Sequence, residues 1–263
     1  MKIILNQKRP HILLLILIMV GTIFTSCKDD YFYNDKEPDF LGASIYNYME
    51  QDGHFHYFLK LVDDLNYKDV LTYTGSKTLF PARDDAFERF FQNNTYGIKS
   101  YEDLTAAQKR SLMNVSMINM AYLSQTLANV ASTQNVSGEG LALRRNTANT
   151  YLDSISYVKD EVLFSNSFWN RFASKGLYLV DNEASAPIVH FTSFNMVKQG
   201  ISDNDFSILN NGKSFDSNTL YVNGIKVVDK DIICKNGYVH VLEDLMLPTK
   251  NMAQIIRDNG ETN

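Results

Sequence analysis

The patterning of this chain predicts an α+β fold, and three stretches carry that prediction. Residues 55–62 place Phe55, Phe58, Leu59 and Val62 at i, i+3, i+4 and i+7, one apolar face of a helix. Residues 78–91 begin as an apolar strand, stop at Pro81 and restart as a helix in which Phe87, Phe90 and Phe91 recur at helical spacing. From Phe206 onward, short apolar runs are separated by Asn-Gly pairs at Asn211, Asn223 and Asn236, a strong hairpin signal.

Taken in order, residues 44–52 form a short amphipathic helix, with Ser44 as its cap and Ile45, Tyr48 and Met49 as its stripe. The helix over 55–62 follows. Residues 70–73 and 78–80 read as strands around the Thr74-Gly75-Ser76 turn. Asp84 is placed to N-cap a helix over 86–92. Residues 105–127 read as one helix with Leu112, Val115, Ile118, Met120 and Leu123 as core positions. The Ser, Thr, Asn and Gly of 132–140 make a loop, and 142–158 hold strands. Residues 165–172 suggest a helical turn, 188–191 a short apolar run, 194–197 a helix, and 201–206 a segment ending in a turn or cap. The strands expected after that are 207–209, 220–222, 225–228, 232–234 and 238–242.

The N-terminus reads as an export segment. Lys2, Lys8 and Arg9 precede an apolar stretch, 11–24, that is shorter than the ~20 residues a bilayer span needs. Small residues then lead to Cys27, which resembles the lipobox of bacterial lipoproteins, with Phe24 standing where an aliphatic residue is usual. The alternative is an ordinary signal peptide that contains a cysteine. Lys28, Asp29 and Asp30 are similar to the acidic export signal of Bacteroidetes surface lipoproteins; a solvated acidic tether is the plainer reading. Residues 1–27 are therefore assigned to a lipoprotein signal peptide and 28–40 to a flexible tether. Lipid on Cys27 would hold the protein in the outer membrane, exposed at the cell surface, since several acyl chains anchor stably where one does not.

The charge balance narrows the partners. Residues 1–27 hold three basic and no acidic residues, so the remainder has 22 Lys and Arg against 30 Asp and Glu. That net negative charge argues against nucleic acid and anionic lipid surfaces as partners. With Cys27 lipidated, Cys234 has no disulfide partner and is expected as a buried free thiol.

Two segments together resemble the signature of the fasciclin domain family. The first is TLFPARDDAF, where Thr78, Phe80, Asp84, Ala86 and Phe87 match. The second is NGYVHVLEDLMLP, where Asn236, Gly237, His240, Val241, Leu247 and Pro248 match. Pro81-Ala82 stands where the family has Ala-Pro, and Arg83 where it has Thr. The Tyr-His pair that some animal members use for receptor binding has no counterpart in 112–118. The resemblance implies a wedge of two small sheets packed with helices over residues 41–250. A large insertion, about 128–205, accounts for the excess length, and 251–263 form a C-terminal helix or tail. It also implies a structural, hydrogen-bonding His240. Family members often carry tandem modules, so a single module and a missing second one both stand as readings.

Catalytic patterns are absent from the sequence. HExxH, GxSxG, GxGxxG and a complete P-loop do not occur; Gly75-Ser76-Lys77-Thr78 has only the tail of the last. The acidic pairs Asp63-Asp64, Asp84-Asp85 and Glu243-Asp244 suit caps and solvated faces better than acid–base work. His54 and His56 would point apart on a helix and together on a strand; no metal site is assigned. His190 reads as a buried, hydrogen-bonded histidine. Trp169 with Phe168 and Phe172 is either a sugar-stacking platform or core. Ser154, in Asp-Ser-Ile, resembles a Bacteroidetes O-glycosylation site, and Asn93, Asn114 and Asn135 begin N-x-Ser/Thr triplets of little weight.

The function expected is non-enzymatic binding of an extracellular glycan or protein without a cofactor, through the surface of the insertion and loops. The alternatives are an accessory lipoprotein of an outer-membrane glycan-uptake complex and, less favoured, a glycan hydrolase.

Overall fold

A computed structural model describes residues 42–94, 96–130, 138–151 and 182–249. The chain divides into Met1–Leu41 and Gly42–Asn263, and all described residues belong to the second unit. The signal segment, the tether, Cys27, Lys28, Asp29, Asp30, Ser154, Trp169 and residues 251–263 lie outside the described residues.

Five helices form most of the first half: α1 (Ile45–Asp52), α2 (His56–Asp64), α3 (Lys68–Tyr73), α4 (Asp84–Gln92) and α5 (Ala106–Val115). Strand β1 (Lys77–Leu79) lies between α3 and α4, and β2 (Met117–Ile118) follows α5. The second half contributes α6 (Ser124–Leu127), β3 (Arg144–Tyr151), β4 (Asn182–Phe191), α7 (Ser193–Gln199) and α8 (Asp203–Leu209). It closes with β5 (Tyr221–Val222), β6 (Ile225–Cys234) and β7 (Gly237–Leu242).

The α+β class holds. The two small sheets expected from the resemblance join into one seven-strand order, β2-β1-β7-β6-β5-β4-β3. The long strand β6 makes the junction. Its beginning pairs with β5 through Lys226 and Ile225, and the rest pairs with β7 from Val227 to Cys234 with register shifts on both sides of Asp229. Such shifts bend a strand and increase its twist. The ends of the order, β2 and β3, come into contact, so the sheet curls back toward itself.

The N-terminal strand β1 lies parallel to the closing strand β7, with Thr78 opposite Tyr238 and Leu79 opposite Val239. Alternation along both strands then sorts side chains between two cores. Leu79, Val239 and Val241 join the helix-side core with Phe58, Leu61 and Phe87. Phe80 and Leu242 join the other core with Val115, Ile188 and Val227.

Asn236 fixes this pairing. Its Oδ1 accepts the Ile45 amide at the start of α1 at 2.9 Å. Its Nδ2 donates to the Leu71 carbonyl at the end of α3 at 2.7 Å. The Lys77 amide donates to the Asn236 carbonyl at 3.2 Å. One side chain thus satisfies a donor at one helix start and an acceptor at another helix end, groups that have no partner inside their own helices. Gly237 follows with φ 153°, and a Cβ there would sit 2.0 Å from the Lys77 carbonyl oxygen. Only glycine lets the two backbones approach this closely.

Several local expectations are corrected. Residues 70–73 are helical, because the Thr72 and Thr74 hydroxyls donate back to the Lys68 and Val70 carbonyls and Leu71 is buried against the helical core. Four apolar residues carry no period that separates strand from helix. Residues 207–209 belong to α8, begun by a Ser202–Asp205 capping box that the strand reading passed over. The helix expected over 105–127 ends at Val115; β2 and α6 follow, and Met120 is 54% exposed rather than core. The Asn-Gly pairs also divide. Asn223-Gly224 forms the β5–β6 turn with both φ positive, as a type I′ turn requires. Asn211-Gly212 follows α8 instead, and the β6–β7 turn is Lys235-Asn236 with Gly237 already in the strand. Residues 182–205, expected within the insertion, include β4, which pairs with β5 and supplies Ile188 and Phe191 to the cores.

Phe87 is fully buried in the helix-side core and stacks on Tyr57 at 5.5 Å. Replacing Phe87 with Ala is expected to cost about 3–5 kcal/mol, the range for deleting a core aromatic. Urea denaturation measures it, and a loss below about 1 kcal/mol would be incompatible with this packing.

Candidate functional site

The matched motif residues sit at the seam between the cores. Thr78, Phe80, Ala86, Phe87, Val241 and His240 are buried, and Leu247 and Pro248 are half-buried. Their contacts are internal. The Thr78 hydroxyl donates to the Met120 carbonyl and accepts the Tyr122 amide. Asp84 does not cap its own helix, where Arg83 holds the cap position. Its carboxylate reaches across to accept the Tyr57 amide at 2.9 Å, in the first turn of α2, and pairs with His56 Nδ1 at 2.8 Å. It therefore caps a neighbouring helix whose own N-cap residue, Phe55, offers no side-chain acceptor.

The histidines take three different roles. His54 and His56 are exposed and each pairs with a carboxylate, Asp52 and Asp84. Among the described residues, no group of three or more His, Cys, Asp or Glu is arranged to hold a metal ion. His240 is fully buried and stacks on Phe80 at 5.5 Å. The Asp231 amide donates to its Nδ1 at 3.1 Å, so that nitrogen carries the lone pair. Nε2 then carries the proton and donates to the Tyr122 carbonyl at 2.9 Å. Burial holds its pKa below the ordinary histidine value.

His190 departs from expectation. It is fully buried on β4, as the sequence suggests, but among the described residues neither ring nitrogen finds a well-formed hydrogen-bond partner. Burial first, and the Arg145 guanidinium second, push its pKa down to about 4, with the Ala142 and Leu127 carbonyls opposing only weakly. Cys234 is a buried free thiol whose pKa burial raises to about 11, which leaves it protonated and unreactive at neutral pH.

Asp231 connects the buried network to the surface. It lies within the irregular part of β6 with φ 60°, left-handed for a residue that carries a side chain. Its amide is held by His240, and its carboxylate accepts both the Ser124 amide, at 2.6 Å, and the Ser124 hydroxyl at the start of α6. Local strain of this kind persists where surrounding contacts determine it fully.

Ser124 opens one wall of a polar cleft of about 640 Å³, which lies among α6, α7 and the β5–β6 region. That volume is in the range of small-ligand sites. Asn195 on α7 sets the opposite wall. Its Nδ2 donates to the Gly140 and Ala142 carbonyls at 2.9 and 2.7 Å, which brings Glu139 up to Phe194 across the cleft. Asn129 closes the same corner by accepting the Gly140 amide. The floor is Thr219 and Leu220, with Lys230 at the rim donating to the Asn218 carbonyl. Among the described residues that line the cleft, Glu139 is the one carboxylate and Lys230 the one cation.

A smaller cleft of about 380 Å³ lies beside Arg83 and Arg89. Both guanidiniums are already engaged, Arg83 by Asp229 at 2.7 Å and Arg89 by Asp85 and Asp244 at 2.6 and 2.9 Å. That cleft offers no uncommitted cation to a ligand.

The model of the fasciclin domain family matches residues 179–248 of this chain. The match covers the closing segment with Asn236, Gly237 and His240 but not the segment from Thr78 to Phe87, which the fold brings beside it. Fasciclin domains are in general non-enzymatic adhesion or binding domains of extracellular or surface proteins. The comparison with curated proteins returned no match. Among the described residues no helix is long and apolar enough to cross a membrane.

The two buried histidines make stability depend on pH. Each has a folded pKa below its unfolded value near 6.5, so the unfolded chain binds more protons as the medium acidifies. The stability each contributes is complete above about pH 6.5 and is lost as pH falls toward the folded pKa, about 4 for His190. For His190 the slope approaches about 1.4 kcal/mol per pH unit, and His240 adds in the same direction. His190→Leu removes one share of that slope without breaking a hydrogen bond. Urea midpoints from pH 7.5 to 4.5 measure it, and a variant slope equal to the wild type would exclude His190 as a source.

Proposed function

We propose that the protein is a cell-surface binding module without catalytic activity, tethered to the outer membrane by lipid on Cys27 and recognising an extracellular glycan or protein. The observation that carries the reading is the polar cleft. It is large enough for a ligand, and among the described residues it presents one carboxylate, Glu139, where a glycosidase needs two flanking the scissile bond. The fasciclin match supports an adhesive or ligand-binding role. The sequence before residue 28 supports the anchor, because a positive segment, an apolar stretch and small residues precede Cys27 in that order. Lys28, Asp29 and Asp30 would direct export to the outer face, Ser154 would carry a glycan, and Trp169 would add a stacking surface.

The cleft is framed by residues 129 and 139, which precede the span that the fasciclin model matches, and by 192–194, which lie within it. We place the common scaffold in the seam around β1 and β7, and the ligand-specific surface on the loops and helix starts around this cleft. An accessory role in a glycan-uptake complex is compatible with the same anchor and cleft.

Bacteria producing the full chain, or its Cys27→Ser variant, test the reading. Wild-type cells should retain the protein in the membrane fraction and adhere to immobilised glycans or matrix proteins above a deletion strain. The variant should be released and adhesion lost. Unchanged fractionation of the variant would refute the anchor, and wild-type adhesion no greater than the deletion strain would refute the binding role.

A further inference from the structure

The lining of the 640 Å³ cleft specifies a ligand chemistry, and we propose that it is the binding site for a neutral oligosaccharide, with the Phe194 ring as its stacking surface. This rests on the binding role proposed above and names the ligand class. The inference starts from which groups the protein has left available. Many lining side chains are already engaged: Ser124 with Asp231, Thr192 with the Asn195 amide, Thr219 with the Val227 carbonyl. These define the walls. The side chains of Gln125, Ser193, Ser217 and Glu139 line the same cleft and have no partner among the described residues.

Those four supply an amide, two hydroxyls and one carboxylate. Amides and hydroxyls donate and accept at once, which matches a sugar hydroxyl that does the same. Phe194 is a large apolar side chain, 45% exposed, on the helix that forms one wall. An aromatic face set among hydrogen-bonding groups suits the C–H face of a sugar ring, with hydroxyls reaching outward to the polar rim.

The same inventory weighs against other ligands. A phosphate or polyanion needs several convergent cations, and the one cation among the described lining residues, Lys230, already donates to the Asn218 carbonyl at 3.0 Å and shares the cleft with Glu139. An apolar ligand would face mostly polar surface. A neutral polyhydroxylated ligand needs no charged partner, and its hydroxyls can donate to the Glu139 carboxylate.

The site is also held before any ligand arrives. Asp231 fixes the start of α6, Asn195 fixes residues 140–142 against α7, and Gly140 lets these chains meet closely, since a Cβ there would lie 2.9 Å from that of Lys198. A preformed wall lowers the ordering cost of binding a weakly attractive ligand.

The test uses the full chain on an array of neutral hexose and pentose oligosaccharides, with polygalacturonate and immobilised matrix proteins alongside. Titration calorimetry on the best saccharide then compares wild type with Phe194→Ala and with Val197→Ala, the latter a control on the same helix but outside the cleft. The expected result is a neutral saccharide hit, weakened about tenfold by Phe194→Ala and unchanged by Val197→Ala. Thermal unfolding of both variants confirms that the fold is intact. If Phe194→Ala destabilises the fold, ligand-induced amide shifts mapped on the wild type decide instead: shifts at Ser193, Ser217 and Thr219 support the site, and shifts confined elsewhere overturn it. A saccharide hit that Phe194→Ala leaves unchanged overturns the cleft assignment. Binding to polygalacturonate or matrix protein without any neutral saccharide overturns the ligand class while the binding role stands. No binding on any surface overturns both.

Discussion

The parallel pairing of β1 with β7 is the constraint on which the rest of the structure depends. It joins segments more than a hundred and fifty residues apart, as the Lys77–Gly237 register shows. Such contacts carry a large loop-closure cost before they return any stabilisation. Asn236 offsets that cost locally by satisfying helix ends of α1 and α3 with one side chain, and Gly237 removes the steric obstacle to close approach. Once the pair is in place, its alternating side chains complete both cores. Leu79, Val239 and Val241 seal one, and Phe80 and Leu242 seal the other. His240 is buried beside Phe80; its Nε2 is held by the Tyr122 carbonyl, and its Nδ1 accepts the Asp231 amide and so positions Asp231 and, through it, the first turn of α6. A chain of direct contacts therefore runs from the fold's central ladder to the wall of the cleft.

Much of that ladder was legible in the sequence. Period and punctuation located α1, α2, α4 and the strands from 220 to 242, because each has either a clear apolar face or a flanking turn. The errors came where local signals were short or had non-local meaning. Residues 70–73 are too few to show a period, and their helical state depends on packing beneath Asn236. Asp84 stands before a helix, as an N-cap should, yet its carboxylate serves a different helix. No sequence window contains that information. Ser202 and Asp205, by contrast, form a capping box that the sequence does display, and giving it more weight than the apolar residues after it would have found α8.

The cleft was hardly legible at all. Its lining comes from segments near 124, 139, 193, 217 and 230, and each segment alone is an ordinary polar loop or helix start. Only the curl of the sheet and the Asp231 and Asn195 contacts assemble them. Phe194 reads in sequence as an apolar position of a short helix; its exposure gives it meaning. His190 shows the converse. Sequence predicts its burial, and the fold gives its ring no well-formed hydrogen bond among the described residues. Together these cases separate a scaffold that is written in the chain as motifs from a binding surface that appears only when distant loops meet.

Native-state hydrogen exchange on the full chain, with and without Asn236→Ala, tests the shared ladder most directly. The account predicts that the Leu79 and Val239 amides exchange only through global unfolding, with equal opening free energies, and that Asn236→Ala lowers both by the same amount. Unequal opening energies in the wild type, or a loss of protection at one strand alone, would contradict it.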